Sequence, residues 1–249
     1  MIKILGIIPS RFGSSRFPGK PLIDLAGKSM IQRVYEQAKK SKLLSDVIVA
    51  TDDERIFKHV EKFGGKAMMT SSSHQSGTDR CAEILEKLNS DFHAVINIQG
   101  DEPFINPDQI DVLAKCFDDD KTELATLINP TNDSSLIHNP NRIKVVIDKN
   151  NQALYFSRSA IPFMKEIPTT DWAKHHPYFL HIGIYGYRSD VLKKITQLPV
   201  SSLEKTESLE QLRWLENGYR IKVAETNFES YSIDSPEDVN NVLKMAGLI

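Results

Sequence analysis

A chain of 249 residues with 40% hydrophobic side chains can bury a sizeable core without metal or disulfide staples. Its 31 Lys and Arg stand against 33 Asp and Glu, a formal charge of −2, so it does not grip nucleic acid by bulk charge and any basic site must be local. The length allows one large domain or two unequal ones, and two cysteines, Cys81 and Cys116, exclude a disulfide framework or a four-thiolate zinc site.

The first apolar run, residues 4–8, is too short for a signal-peptide core and lacks a small-residue cleavage site, so it reads as a buried strand. No run approaches the roughly 20 apolar residues of a membrane span, and the expectation is a soluble, cytoplasmic protein with no membrane partner. Further strands are predicted over 47–51, 66–70, 94–99 and 124–128, with helices between them over 30–40, 53–63, 79–88 and 107–117. Alternating strands and helices predict an α/β layer structure on a mainly parallel sheet, whose ligands bind at the C-terminal ends of the strands.

From about residue 139 the rhythm changes. Segments 144–148 and 153–157 flank Asn150-Asn151, a hairpin signal, so this portion is predicted to be antiparallel. Residues 162–180, with Pro162, Pro168 and Pro177, show no period and read as a long exposed loop or lid. A helix over 204–216, a strand over 221–226 and a last helix opened by Ser235-Pro236 complete the reading.

The chemistry concentrates after the first strand. Between Arg11 and Leu22 lie three cations (Arg11, Arg16, Lys20), two glycines (Gly13, Gly19) and two serines (Ser14, Ser15), with no acid before Asp24. Such a loop can offer backbone N–H groups at glycine-permitted turns while its cations neutralise a polyphosphate. It is not a Walker A loop, because Gly13 and Gly19 are separated by five residues and Lys20 is followed by Pro21. It also lacks the G-x-G-x-x-G of dinucleotide sites. At the end of the fourth strand, Gln99-Gly100-Asp101-Glu102-Pro103 puts a carboxylate beside a glycine that lets a ligand approach, a position suited to a divalent cation bridging phosphate oxygens. Asp234 is a second candidate, although acids at a helix start also complement the macrodipole without any ligand. The histidines show no zinc spacing, and no G-x-S-x-G elbow supports serine hydrolase chemistry.

These motifs, with His74-Gln-Ser-Gly-Thr-Asp-Arg80, Asn139-Pro140, Ala153-Leu-Tyr-Phe-Ser-Arg158, His181-Ile-Gly-Ile-Tyr185, Leu209-Glu210-Gln211 and Asp234-Ser-Pro-Glu-Asp238, resemble the 3-deoxy-manno-octulosonate (KDO) cytidylyltransferases in the same order along nearly the whole chain. The resemblance implies a Rossmann-like nucleotidyltransferase fold with a nucleotide-binding portion over 1–130, an antiparallel sugar-binding and dimerisation portion over 131–225, and a returning segment over 226–249. It implies transfer of CMP from CTP to KDO with release of pyrophosphate, for lipopolysaccharide synthesis, by a Mg2+-dependent homodimer. By resemblance, Pro9, Arg11, Ser14, Arg16, Lys20, Ser76, Arg80 and Gln99 hold the nucleotide, and Arg158, His181, Tyr185, Glu210 and Gln211 hold the sugar. Asp101 and Asp234 are the metal pair, and with Lys20 and Arg16 they are the residues expected to be catalytic. KDO carries a carboxylate beside its anomeric carbon, so its site should contain a cation, and Arg158 is the expected one. The competing readings are the same reaction on the 8-amino analogue of KDO or on a sialic acid, and a non-catalytic nucleotide-sugar sensor.

Overall fold

The structure, a computed structural model, describes residues 2–13, 17–89, 91–228 and 231–249. In chain order the strands are β1 (Ile4–Ser10), β2 (Asp24–Leu25), β3 (Lys28–Ser29), β4 (Asp46–Thr51), β5 (Ala67–Met69), β6 (Ala94–Asn97), β7 (Leu124–Thr131), β8 (Lys144–Ile147), β9 (Ala153–Ser157), β10 (Tyr178–Arg188) and β11 (Ile221–Glu225). The α-helices are α1 (Met30–Ala38), α2 (Glu54–Lys62), α3 (Gly77–Leu88), α4 (Pro107–Lys115), α5 (Ser134–His138), α6 (Trp172–His175), α7 (Ser189–Ile195), α8 (Ser202–Glu207), α9 (Gln211–Glu216) and α10 (Asp238–Met245).

The main sheet runs β11-β7-β10-β6-β1-β4-β5, with β8 and β9 branching from β10. Pairs β6–β1, β1–β4, β4–β5 and β11–β7 are parallel, whereas every pair involving β10, and β8–β9, is antiparallel. Period-two alternation on β1 explains the layering. Ile4 and Ile8 face one helical layer with Ile31 of α1 and Ile110 of α4, while Leu5 and Ile7 face the other with Ile84 of α3 and Leu192 of α7. A strand covered on both faces reads as a continuous apolar run, which is why these strands were visible in the sequence.

Four local expectations need correction. First, β10 is absent from the strand pattern above, yet it sits in the sheet between β6 and β7. Second, residues 162–180 are not a bare loop: Trp172 of α6 and Tyr178 pack with Ile137 in a small core of their own, and Trp172 Nε1 donates to the Ile167 carbonyl. Third, the helix over 204–216 is two helices, α8 and α9, broken where Ser208 adopts a left-handed conformation with φ 53°. Fourth, Ser235-Pro236 forms a turn, and α10 begins at Asp238, whose carboxylate accepts from the backbone N–H groups of Asp234 and Ser235. Asp53 caps α2, and Cys81 lies within α3; Cys116 follows α4 in a single 3-10 turn, and both thiols are free and buried.

Candidate active site

The carboxyl ends of β1 and β6 lie side by side, and their following loops form the floor of a cleft of about 270 Å³. The approach is close: a Cβ on Gly100 would stand 2.7 Å from the Pro9 carbonyl oxygen, so only glycine fits. After β1 the chain folds back on itself, with the Gly19 N–H donating to the Phe12 carbonyl over 2.9 Å and Gly19 in the left-handed region at φ 72°. This turn delivers Lys20 to the cleft beside Arg11 and Pro9. The expected site residues Ser14 and Arg16 lie outside the described residues.

The segment before α10 supplies the opposite wall. The Ile233 N–H donates to the Asp101 carbonyl over 3.0 Å, which sets Asp234 beside Asp101. Lys20 Nζ lies between the two acids, 2.9 Å from Asp101 Oδ2 and 3.9 Å from Asp234 Oδ1, and donates to the Ile233 carbonyl at 2.8 Å. Two acids distant in sequence therefore converge on one positive charge, at the mouth of a cleft lined by Arg11 and by α3's first turn. Two carboxylate oxygens around one point suit a hard divalent cation such as Mg2+, which prefers oxygen and keeps several positions for water and phosphate. Among the described residues no third His, Cys, Asp or Glu joins them.

The third wall is the start of α3. Ser76 caps it through a reciprocal pair with Asp79, and Gly77 follows, so unpaired N–H groups and the positive end of a twelve-residue helix face the cleft. Arg80 lines the cleft but is 4% exposed, and its guanidinium is engaged by Asp52 Oδ2 and Thr70 Oγ1, each at 2.7 Å. Its part here is to tie α3 to the ends of β4 and β5.

A second recess, of about 360 Å³, opens from the cleft across Gln99 and Asp101, which line both. Gln99 Nε2 donates to the Gly183 carbonyl over 2.8 Å, holding β6's end to an irregularity in β10 between Ile182 and Tyr185. Thr126 fills that irregularity, donating to the Ile184 carbonyl at 2.7 Å and lying 3.0 Å from His181 Nε2. His181 reaches the recess wall with its ring packed on Phe156 and Tyr185, and burial pushes its pKa down to about 3, so it is neutral at neutral pH.

The other expected sugar residues stand behind this wall. Tyr185 is buried against Tyr187 and Trp214, its hydroxyl makes no hydrogen bond to a described residue, and burial raises its pKa. Glu210 is pushed upward by burial and accepts from Thr78 Oγ1 at 2.9 Å, under the start of α3; Gln211 is buried at the start of α9. Arg158 does not line the recess: its Nε donates to the Glu207 carbonyl at 2.7 Å, Nη1 to Pro140 at 3.2 Å and Nη2 to Ser208 at 3.4 Å. Sequence reading missed Asn141 and Arg142 on the recess rim. The signal available was their position straight after Asn139-Pro140.

Comparison with known proteins agrees with this geometry. Residues 5–222 match the cytidylyltransferase family model. A 3-deoxy-manno-octulosonate cytidylyltransferase of Parabacteroides distasonis is 54% identical over 247 residues, 98% of each chain, and one of Bacteroides thetaiotaomicron is 56% identical over 243 residues, 96% of each. Among solved structures, a CMP:2-keto-3-deoxy-manno-octonic acid synthetase complexed with CTP superposes with a TM-score of 0.91 at 42% identity, over 98% of both chains.

Proposed function

The chain belongs to the 3-deoxy-manno-octulosonate cytidylyltransferase family, and on that premise we propose that the cleft takes the nucleoside triphosphate while the adjoining recess takes the sugar acid. The protein is a nucleotidyltransferase that moves CMP from CTP to KDO and releases pyrophosphate. One observation carries the assignment of the chemistry: Asp101 and Asp234 meet at Lys20, on the border between cleft and recess.

In-line attack of a sugar hydroxyl on the α-phosphorus needs alignment and charge neutralisation more than covalent help. Arg11 and Lys20 neutralise phosphate oxygens, and the α3 N-terminus with Ser76 and Gly77 offers backbone donors to the same anion. Gly100 keeps the floor bare enough for close approach. Gln99, spanning both cavities, orients the two substrates toward each other. Asp101 and Asp234 would hold Mg2+, which supplies neutralisation of the phosphates and a more acidic sugar hydroxyl when bound. His181, neutral and at the recess wall, is suited to hydrogen-bond a sugar hydroxyl without adding charge. Arg158, Tyr185, Glu210 and Gln211 shape the wall from behind.

The remaining expectations are proposals of the same kind. A homodimer through the antiparallel portion is supported by exposed Leu154 and Phe163, 60% and 76% accessible. A reducing, cytoplasmic compartment is supported by the free, buried thiols of Cys81 and Cys116. Purified protein with CTP, KDO and Mg2+ is expected to release pyrophosphate only when both substrates are present. Release without sugar would reassign the site to pyrophosphate hydrolysis, turnover with the 8-amino analogue alone would move the substrate, and silence with either sugar would leave a sensor.

A further inference from the structure

A sugar acid brings a carboxylate into the recess, which is lined by Glu102 and by Asp101, the latter already paired with Lys20. That charge needs a cation there. Arg158 does not line the recess, and three of its five N–H groups, one on each nitrogen, tie it to the carbonyls of Glu207, Pro140 and Ser208. Lys20 is held by Asp101 and the Ile233 carbonyl on the nucleotide side. Among the described residues that line the recess, Arg142 carries the one cationic side chain, since His181 is neutral.

Its placement is rigid where it matters. The Arg142 N–H donates to the Asn139 carbonyl over 3.1 Å, and its own carbonyl accepts from Lys144 Nζ at 2.6 Å. The next residue, Ile143, accepts from the His181 N–H over 2.8 Å, so Arg142 and His181 sit on adjoining chain segments at one rim. The backbone is fixed, while the guanidinium is solvent-exposed and makes no ion pair or hydrogen bond with another described residue, so its donors are available to a ligand. Resting on the reading of the recess as a sugar-acid site, we propose that Arg142 is the specificity-determining residue that recognises the substrate's carboxylate.

The test compares the unaltered chain with Arg142→Ala and Arg142→Lys on KDO and on its methyl ester, the ester being scored as substrate or as competitive inhibitor. Arg142→Ala is expected to raise KM for KDO about tenfold or more, the loss typical of a hydrogen bond to a charged group, with KM for CTP within about twofold. The preference for acid over ester should shrink by the same factor, and Arg142→Lys should restore part of it. An unchanged preference in Arg142→Ala would overturn the assignment. So would a rise in KM for CTP as large as that for KDO, which would give Arg142 to the nucleotide's phosphates. Failure of the unaltered chain to use KDO would remove the family reading and this inference together, whereas KDO turnover with an unmoved preference would remove only Arg142.

Discussion

In the cleft, charged groups project forward from the ends of parallel strands: Arg11 and Lys20 after β1, Asp101 after β6. In the antiparallel portion two charged groups turn inward, while Arg142 stays exposed at the recess rim. Lys144 is fully buried and donates to the carbonyls of Asn139, Arg142 and Arg158, and Glu207 accepts from Ser157 Oγ and the Arg158 N–H. The contrast follows from the backbone. Parallel strands leave their loops to be anchored by helices on both faces, so side chains there are available to a ligand. At the branch of β8 and β9, buried Lys144 instead satisfies the carbonyls of the surrounding turns.

The contrast can be broken at three points. The largest effect is expected at the cleft: Asp101→Asn should lower turnover at least about a hundredfold, as loss of a charge-stabilising group does, while circular dichroism shows an unchanged fold. Near-normal turnover would remove Asp101 from the chemistry. Lys144→Met should show the opposite signature, a loss of about 2–4 kcal/mol in urea unfolding because three carbonyls lose their donor, and KM effects confined to the sugar. An unchanged midpoint would mean that water replaces the ammonium. The third effect is on pH dependence. His181 titrates at about 3 in the folded chain against 6.5 for the free ring, so the unfolded chain binds the extra proton and stability declines as pH falls below about 6.5. His181→Gln should flatten that decline between pH 7 and 4. Glu210, whose raised pKa acts in the other direction at lower pH, is present in both chains and cancels in the comparison.

The cleft was legible in the sequence because its residues cluster in three short segments, each directly after a recognisable strand or before a helix. Asp234 was the exception: physics alone favoured a helix-start acid, and long-range contacts, among them the Ile233–Asp101 and Lys20–Ile233 hydrogen bonds, bring it into place. β10 escaped because His181 and two glycines, Gly183 and Gly186, interrupt its apolar run. At Gly186 a Cβ would meet the Phe117 ring at 2.4 Å, so that glycine marks tight packing instead of a turn. Arg158 looked like a ligand cation by type and by resemblance; its commitment to three carbonyls depends on the bend at Ser208, which no periodicity announces. Arg142 was hidden for the converse reason, as an exposed arginine in a turn looks like any solvated one.

The position of β10 also sets a timetable for biosynthesis. β6 and β7 are separated by one strand's width, and that strand is not made until residues 178–188 leave the ribosome. Until then neither β6 nor β7 has the partner it hydrogen-bonds on that side. The site itself closes later still, when Ile233 grips the Asp101 carbonyl. Of the site's parts, the phosphate-binding loop is thus synthesised first and the second carboxylate last.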